Sequence, residues 1–214
     1  KKRTKSQWTF LSVAQSIEFQ DHAFYAPRPG YKGKSACTLL RNPHIARNEE
    51  ILLDPYRPVE QMRKHYLGHL TDVVMVSSSM YAAERLGGAD FDGDMVKTIA
   101  DPIVNRCVQK NYQYQNLDNL GNLPFLKIPS IQARVQDAKD WRARFQTVRD
   151  TFSSRVGQIS NAALARSVIA YNENSQAEER QQAREEVETL AILTGLEIDS
   201  AKSGVKPDLS PYLG

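Results

Sequence analysis

The pattern of apolar residues changes once along the 214-residue chain, near Pro124. Before this point, short apolar runs are broken by Gly, Pro and Asn, which is typical of strands and turns. After it, apolar residues recur at spacings of three and four, which indicates helices. The sequence therefore predicts an α+β protein, with a β-rich domain over 1–124 and a mainly helical segment over 125–214.

Four apolar runs in the first part have the length of a typical strand. They cover residues 38–40, 51–53, 73–76 and 95–99. Residues 6–10 are also expected to lie in a folded element. The interval 58–67 predicts a short amphipathic helix, because its apolar residues recur with helical spacing.

Three helices are predicted in the second part. The first is expected to follow Ser130 as its N-cap, and it would carry one apolar stripe formed by Ile131, Val135, Ala138, Trp141, Phe145, Val148 and Phe152. The second covers 155–170. The third begins at Ser175, which has capping-box spacing to Glu178, and ends before Gly195, where the chain could turn.

Charge and cysteine content narrow the class of protein only slightly. The net charge is +3, so charge alone gives a weak case for a nucleic-acid partner. A basic run over 134–149 is either a solvated helix face or a surface that follows phosphates. Cys37 and Cys107 show no metal-binding or disulfide spacing, and no apolar run is long enough for a membrane span. A cytoplasmic protein without a membrane partner is expected, and a first residue other than Met suggests a fragment of a longer one.

The acidic cluster of Asp90, Asp92 and Asp94 gives the strongest chemical signal. Three carboxylates brought together without a cation would repel one another. Magnesium prefers oxygen ligands and often shares them with substrate phosphates. Gly93 lets the backbone turn sharply and leaves room for a phosphate or a 3′-end to approach. The cluster therefore predicts phosphoryl transfer with two metal ions.

The cluster has three other interpretations. A calcium loop that starts at Asp90 would need Gly at its sixth position and usually Glu at its twelfth, where this chain has Met95 and Asp101. A phosphatase of the haloacid dehalogenase type would have Thr where Asp94 stands. An acidic turn on the surface remains open from the spacing alone.

Three segments together resemble a known family. Residues 88–95, Gly-Ala-Asp-Phe-Asp-Gly-Asp-Met, resemble the signature of the largest subunit of multisubunit RNA polymerases. They are also similar to the motif of the RNA-dependent RNA polymerases of gene silencing and of single-chain polymerases from bacterial viruses. Residues 40–44, Leu-Arg-Asn-Pro-His, resemble an upstream segment of the silencing enzymes, and residues 157–162 and 198–204 resemble paired downstream segments. These enzymes form the two-barrel RNA polymerase superfamily.

The resemblance implies a fold and a set of site residues. The first domain is expected to be a double-psi β-barrel that carries the catalytic loop, followed by the helical segment that flanks the active centre. Asp90, Asp92 and Asp94 would be catalytic residues and ligands of Mg²⁺, with two ions during catalysis and Mn²⁺ as a possible substitute. Arg41 and Asn42 would bind the nucleotide, although Arg41 could instead form an ordinary surface ion pair. Lys202 would touch nucleic acid or be merely solvated.

The same resemblance implies the reaction and the partners. The enzyme would transfer a nucleotide from a nucleoside triphosphate to the 3′-end of RNA on a nucleic-acid template, as in transcription. A second double-psi barrel would come from the rest of the polypeptide or from another chain. Phe91 favours a DNA-templated, single-chain, phage-type enzyme, located in a host cytoplasm or a virion; the alternative is an RNA-templated enzyme of the silencing type. Gly88 stands where the multisubunit enzymes usually have Asn. A nonenzymatic metal- or nucleic-acid-binding domain is the further alternative.

Overall fold

The structure is a computed structural model that describes residues 7–10, 23–25, 36–55, 65–66, 69–70, 73–76, 85–89, 93–112, 126 and 128–213. The chain forms two compact units, unit 1 over residues 1–125 and unit 2 over residues 126–214. The predicted helix over 58–67 lies almost wholly outside the described residues. None of the helices in the described ranges is both long and apolar enough to cross a bilayer.

The described part of unit 1 contains a closed barrel of six strands. The strands are β1 Gln7–Phe10, β2 Ala23–Tyr25, β3 Cys37–Arg41, β4 Glu50–Pro55, β5 Val73–Val76 and β6 Met95–Ile99. Their order around the barrel is β1-β5-β2-β4-β3-β6, and β6 pairs back with β1. The pairs β1–β5 and β2–β4 are parallel, and the other pairs are antiparallel. All four predicted strands are present, and residues 6–10 do contain a strand.

The barrel has an internal symmetry that the sequence does not display as a repeat. If β1, β2 and β3 exchange places with β4, β5 and β6, the neighbours and their relative directions stay the same. The parallel pair β1–β5 then becomes the parallel pair β4–β2, and the antiparallel pair β3–β4 becomes β6–β1. The topology is therefore that of two interlocked halves of three strands each.

A core of apolar side chains fills the barrel. Alternate residues of β4, Ile51 and Leu53, are each 1% exposed, which is the pattern of a strand with one face turned inward. Burial of one such side chain stabilises the fold by about 1.5–3 kcal/mol. The buried cluster consists of Cys37, Leu39, Ile51, Leu53, Val74, Val76, Leu86 and Val96.

Helix α1, Pro102–Tyr112, follows β6 and fixes the start of β3. The Asp101 carboxylate accepts hydrogen bonds from the backbone N–H groups of Ile103 and Val104, at 2.8 and 3.2 Å, and so caps the helix. Asn105 donates to the Ala36 carbonyl oxygen at 2.8 Å and accepts from the Thr38 hydroxyl at 2.8 Å. These contacts tie α1 to the strand whose other end carries Arg41.

Unit 2 contains three helices, α2 Trp141–Thr151, α3 Val156–Ala170 and α4 Ala177–Ser203. Helices α3 and α4 run antiparallel, because Arg155 at the start of α3 pairs with Glu197 near the end of α4, while Arg184 donates to the Ala170 carbonyl oxygen at the opposite ends. The prediction of a helix over 155–170 is confirmed. The buried side chains of the pair are Ile159, Ala163, Ala170, Ala183, Val187, Leu190, Ala191, Thr194 and Glu197.

The helix predicted to start after Ser130 is wrong in its first half. Residues 128–137 are not helical, and α2 begins after Asp140, whose carboxylate accepts hydrogen bonds from the backbone of Arg142 at 2.9 Å and of Ala143 at 3.2 Å. The backbone N–H of Arg134 donates instead to the Ser203 carbonyl oxygen at the end of α4, at 2.8 Å. A segment with helical periodicity is therefore not helical, and a tertiary backbone hydrogen bond holds it to the end of α4.

The predicted end of the third helix is also wrong. Helix α4 runs through Gly195 to Ser203, and the left-handed residue that ends it is Gly204, with φ of 71°. A Cβ atom at position 195 would lie 2.1 Å from Cδ1 of Ile128, so glycine there gives room to a neighbouring side chain. At the other end, Gln176 occupies the N-cap position that was predicted for Ser175.

Candidate active site

The antiparallel pairing of β3 with β6 brings Arg41 to Asp94. Arg41 is the last residue of β3 and pairs in register with Val96, so it lies beside the residue that precedes β6. Its Nη2 atom donates to Asp94 Oδ1 at 2.9 Å, and its Nε atom lies 2.9 Å from Asp94 Oδ2. The two side chains are 17% and 16% exposed. This is a bidentate ion pair at the end of strand β3, and both side chains have limited access to water.

Arg41 also reaches the segment that leads into Asp90. Its Nη1 atom donates to the Gly87 carbonyl oxygen at 3.3 Å. Gly87 and Gly88 have φ of 66° and 71°, a left-handed conformation that glycine adopts without strain. One guanidinium therefore bridges the two ends of the loop that carries Asp90 and Asp92, with Gly87 on one side and Asp94 on the other.

Glu49 lies in the β3–β4 connection, next to Gly87 of the same segment. Its Oε2 atom accepts hydrogen bonds from the backbone N–H groups of Ile45 and Ala46, each at 2.8 Å. Burial raises the pKa of the Glu49 carboxyl, and the hydrogen bonds from Ala46 and Ile45 offset this only in part. Close by in sequence, the Asn48 carbonyl oxygen accepts a hydrogen bond at 3.1 Å from Nη1 of Arg85, a residue that is 1% exposed. One buried hydrogen bond thus joins the segment 45–49 to Arg85.

Gly87 is expected to be intolerant of a side chain. A Cβ atom there would lie 2.8 Å from Glu49 Oε1, and the left-handed backbone would be strained as well. We expect Gly87→Ala to lower the free energy of unfolding by about 2 kcal/mol, measured by urea denaturation. Gly157→Ala is the control, because Gly157 lies in the first turn of α3 with no atom within 4 Å of an added Cβ. The close approach of Gly87 to Glu49 would be contradicted if both variants unfolded at the same urea concentration.

The predicted site residues fall in different parts of the molecule. Asp90 and Asp92 lie outside the described residues, while Asp94 is paired with Arg41. Asn42 is exposed just after β3 in unit 1, and Lys202 is exposed in the last turn of α4 in unit 2. Glu49, Arg85 and the carbonyl group of Gly87 were not foreseen. The paired glycines 87 and 88 were the one visible signal of a sharp turn at that place.

Of the three predicted magnesium ligands, Asp94 lies within the described residues. Within the described residues, no group of three or more His, Cys, Asp or Glu side chains is placed to hold a metal ion, and two of the three predicted ligands lie outside that range. Asp94 does supply carboxylate oxygens, which are the donors that magnesium prefers. Gly93, with φ of 116°, has no atom of the described residues within 4 Å of an added Cβ. Both carboxylate oxygens of Asp94 already contact Arg41. The described end of the loop therefore supplies one carboxylate of suitable chemistry, and the magnesium site stays a prediction.

Comparisons with known proteins agree on the class. The class that they support is an RNA polymerase of the two-barrel superfamily. A family model described as RNA dependent RNA polymerase matches residues 26–213, and since this is most of the chain, the chain belongs to the RNA dependent RNA polymerase family. The RNA-templated alternative is thereby favoured over the DNA-templated enzyme that Phe91 indicated, which the comparisons do not support.

A solved structure is similar to the chain along nearly its whole length. The RNA dependent RNA polymerase QDE-1 from Thielavia terrestris superposes with a TM-score of 0.54 at 17% sequence identity. The match covers 97% of this chain and 23% of that chain. At this identity the likeness shows the fold alone, and this chain spans less than a quarter of the length of that polymerase. No curated protein sequence matches the chain significantly.

Proposed function

We propose that this chain is part of the catalytic centre of an RNA-templated RNA polymerase of the silencing type. The observation that carries the proposal is the match of residues 26–213 to the RNA dependent RNA polymerase family. The Arg41–Asp94 pair supports it, because it lies at the acidic loop on which the activity would depend. The substrates are nucleoside triphosphates, an RNA 3′-end and a nucleic-acid template.

The barrel of unit 1 is proposed to be a double-psi β-barrel. Its support is the exchange symmetry of the six strands together with the two parallel pairs, β1–β5 and β2–β4. In the two-barrel superfamily the opposing barrel supplies basic residues for the nucleotide phosphates. That barrel would lie elsewhere in the polypeptide or in another chain, which is consistent with the 23% coverage of the solved polymerase.

Asp90, Asp92 and Asp94 are proposed to hold Mg²⁺ at the loop between residue 89 and β6, where Mn²⁺ could replace it. When bound, the ions would neutralise phosphate charge and polarise the reacting oxygens. The chain's own part is to fix the position of the loop. Arg41 does this by contacting Gly87 and Asp94 at its two ends.

Arg41 is also proposed to contact the incoming nucleotide, with Asn42 beside it. A guanidinium has five N–H donors, and the contacts with Asp94 and Gly87 involve one on each of its three nitrogens. Counted over the part of the chain that the structure describes, two donors remain for a ribose or phosphate oxygen. Lys202, exposed in the last turn of α4, is proposed to contact template or product phosphate.

The template can be tested directly with the complete polymerase. We expect extension on single-stranded RNA to exceed extension on single-stranded DNA of the same sequence by at least about tenfold. The measurement is incorporation of labelled nucleotide on both templates in parallel, with Asp94→Asn enzyme as the control for contaminating polymerases. Faster extension on DNA would restore the DNA-templated alternative. The absence of extension on either template would favour a nonenzymatic binding domain.

A further inference from the structure

Helix α2 presents its large apolar side chains to solvent. Trp141 and Phe145 are each 63% exposed, Phe152 at the C-cap is 83% exposed, and Val148 lies in the same stripe. The residues on the opposite side of the helix, Ala143 and Thr147, are partly buried. A helix that belongs only to a core would show the reverse arrangement, with large apolar residues inside. This surface, called the aromatic stripe below, therefore suits a partner that the described residues do not include.

Arginine residues border the aromatic stripe on both sides. At about 100° of rotation per residue, Arg142 and Arg149 fall along one edge and Arg144 along the other. All three are exposed, and the structure shows no ion pair for them within the part of the chain that it describes. The guanidinium of Arg142 lies 5.4 Å from the centre of the Trp141 ring. Cationic groups thus stand next to flat aromatic surfaces along about 16 Å of helix.

We propose that the aromatic stripe of α2 binds single-stranded RNA. Bases of any sequence can stack on Trp141, Phe145 and Phe152, while the flanking arginines contact successive phosphates. The choice of RNA rests on the proposed function, but the binding itself needs neither nucleotide nor metal ion. It is therefore testable when catalysis is abolished.

Charge complementarity favours RNA over a protein partner on this surface. A protein that covered both the stripe and its arginine borders would desolvate three guanidinium groups, and each would then need a carboxylate or another acceptor. An RNA strand brings one phosphate per nucleotide, spaced along the strand and alternating with bases that can stack. The order of residues along α2, with aromatic and basic side chains interleaved, matches that alternation.

The first experiment measures RNA binding by the complete polymerase carrying Asp94→Asn, without nucleotides, by fluorescence anisotropy of a labelled oligoribonucleotide. We expect Phe145→Ala combined with Phe152→Ala to raise the Kd at least about tenfold. The matched control, Leu164→Ala with Val168→Ala, removes side chains of α3 that are 65% and 66% exposed and should leave the Kd within about twofold. A Kd unchanged by the aromatic pair would overturn the proposal.

A second set of variants tests the arginines through salt dependence. Changing Arg142, Arg144 and Arg149 to Gln should reduce the slope of log K against log salt by about two, since each phosphate contact on a single strand contributes about 0.7. A merely structural role would leave this slope unchanged. The slope is measured from 50 to 300 mM salt on variants whose circular dichroism matches that of the parent.

Photo-crosslinking separates RNA from a protein partner. Phe145→p-benzoylphenylalanine in the complete polymerase should crosslink to radiolabelled single-stranded RNA, while the same amino acid at Val168 should not. Crosslinks at position 145 that join only other peptides of the polymerase would overturn the proposal and assign the stripe to a protein interface. Loss of RNA synthesis in Asp94→Asn with RNA binding retained would leave both proposals standing. RNA binding that does not involve the aromatic stripe would contradict the role proposed for α2 and leave the proposed polymerase function unaffected.

Discussion

Asp94→Asn in the complete polymerase is expected to slow RNA synthesis by at least about a hundredfold while the barrel still folds. Asn keeps the size of the side chain and one oxygen, but it loses the charge that would hold a metal ion and that now faces Arg41. The amide N–H group of the new side chain would face the N–H of Arg41 Nε, so that two donors oppose each other, or the contact would be lost. The loss of the metal ligand and the loss of the Arg41 contact both affect the loop that ends at Asp94. The measurement is the elongation rate at saturating nucleotide and magnesium.

Asp101→Asn is the matched control for this prediction. It removes the same charge seven residues further along, where the carboxylate caps α1 by accepting from Ile103 and Val104. Asn is an equally good N-cap, so the helix should persist and elongation should stay within about twofold of the parent. If Asp94→Asn elongated as fast as Asp101→Asn at saturating magnesium, Asp94 would not be a metal ligand.

Strands were predictable where a buried apolar run was bounded by turns. The runs at 73–76 and 95–99 match β5 and β6 residue for residue. The strand β2, Ala23–Tyr25, was not foreseen, because three residues carry no period and depend on pairing with β4 and β5. Helix α1 was also missed, although Asp101 followed by Pro102 is a recognisable start signal.

In unit 2, the helical spacing of apolar residues predicted a helix correctly in one part of the segment and wrongly in another. Seven apolar residues with helical spacing between Ile131 and Phe152 predicted one helix with an apolar stripe, yet only residues 141–151 are helical, and their apolar side is exposed. Periodicity reports which side chains would share a face. It does not report what that face contacts, nor a competing backbone hydrogen bond such as the one from Arg134 to Ser203.

The chemistry of the site was predictable from the sequence, but the contacts that hold its loop in place were not. The spacing of the aspartates pointed to a metal site without any knowledge of the fold, and that assignment stays a prediction. The pairing of Arg41 with Asp94 depends on the register between β3 and β6, which no local pattern encodes. The choice of a DNA template relied on Phe91 alone, and a single apolar position next to the ligands carries too little chemistry to identify the template.

Glu197→Ala is expected to lower the free energy of unfolding of the chain by about 3 kcal/mol, because it leaves a partly buried guanidinium without its counter-ion. Glu197 is 3% exposed, and it accepts hydrogen bonds at 2.9 Å from both the backbone N–H and Nη2 of Arg155. Arg155 Nη2 also donates to the Pro207 carbonyl oxygen at 2.9 Å. One carboxylate thereby joins the start of α3, the end of α4 and the C-terminal segment.

The pH dependence gives the prediction a second readout. Burial raises the pKa of Glu197, but the hydrogen bonds and charge of Arg155 outweigh burial, so its pKa is lowered overall. A lowered folded-state pKa means that the stabilisation is complete above the ordinary pKa of a glutamate and is lost as pH falls through the folded value. The difference in stability between the parent and Glu197→Ala should therefore shrink steadily as the solution is acidified below that ordinary value.

Two further variants test whether the pair itself is responsible. Glu185→Ala removes an exposed carboxylate of α4 that accepts from Gln181 at 2.9 Å, and it should cost no more than about 0.5 kcal/mol. Combining Arg155→Met with Glu197→Leu removes both charges and should recover at least about half of the stability lost in Glu197→Ala, because no unpaired charge remains. Stability is measured by urea denaturation followed by far-UV circular dichroism, which reports these helices. A loss below about 1 kcal/mol in Glu197→Ala, or an equal loss in Glu185→Ala, would show that the three segments are held together by apolar packing and not by this carboxylate.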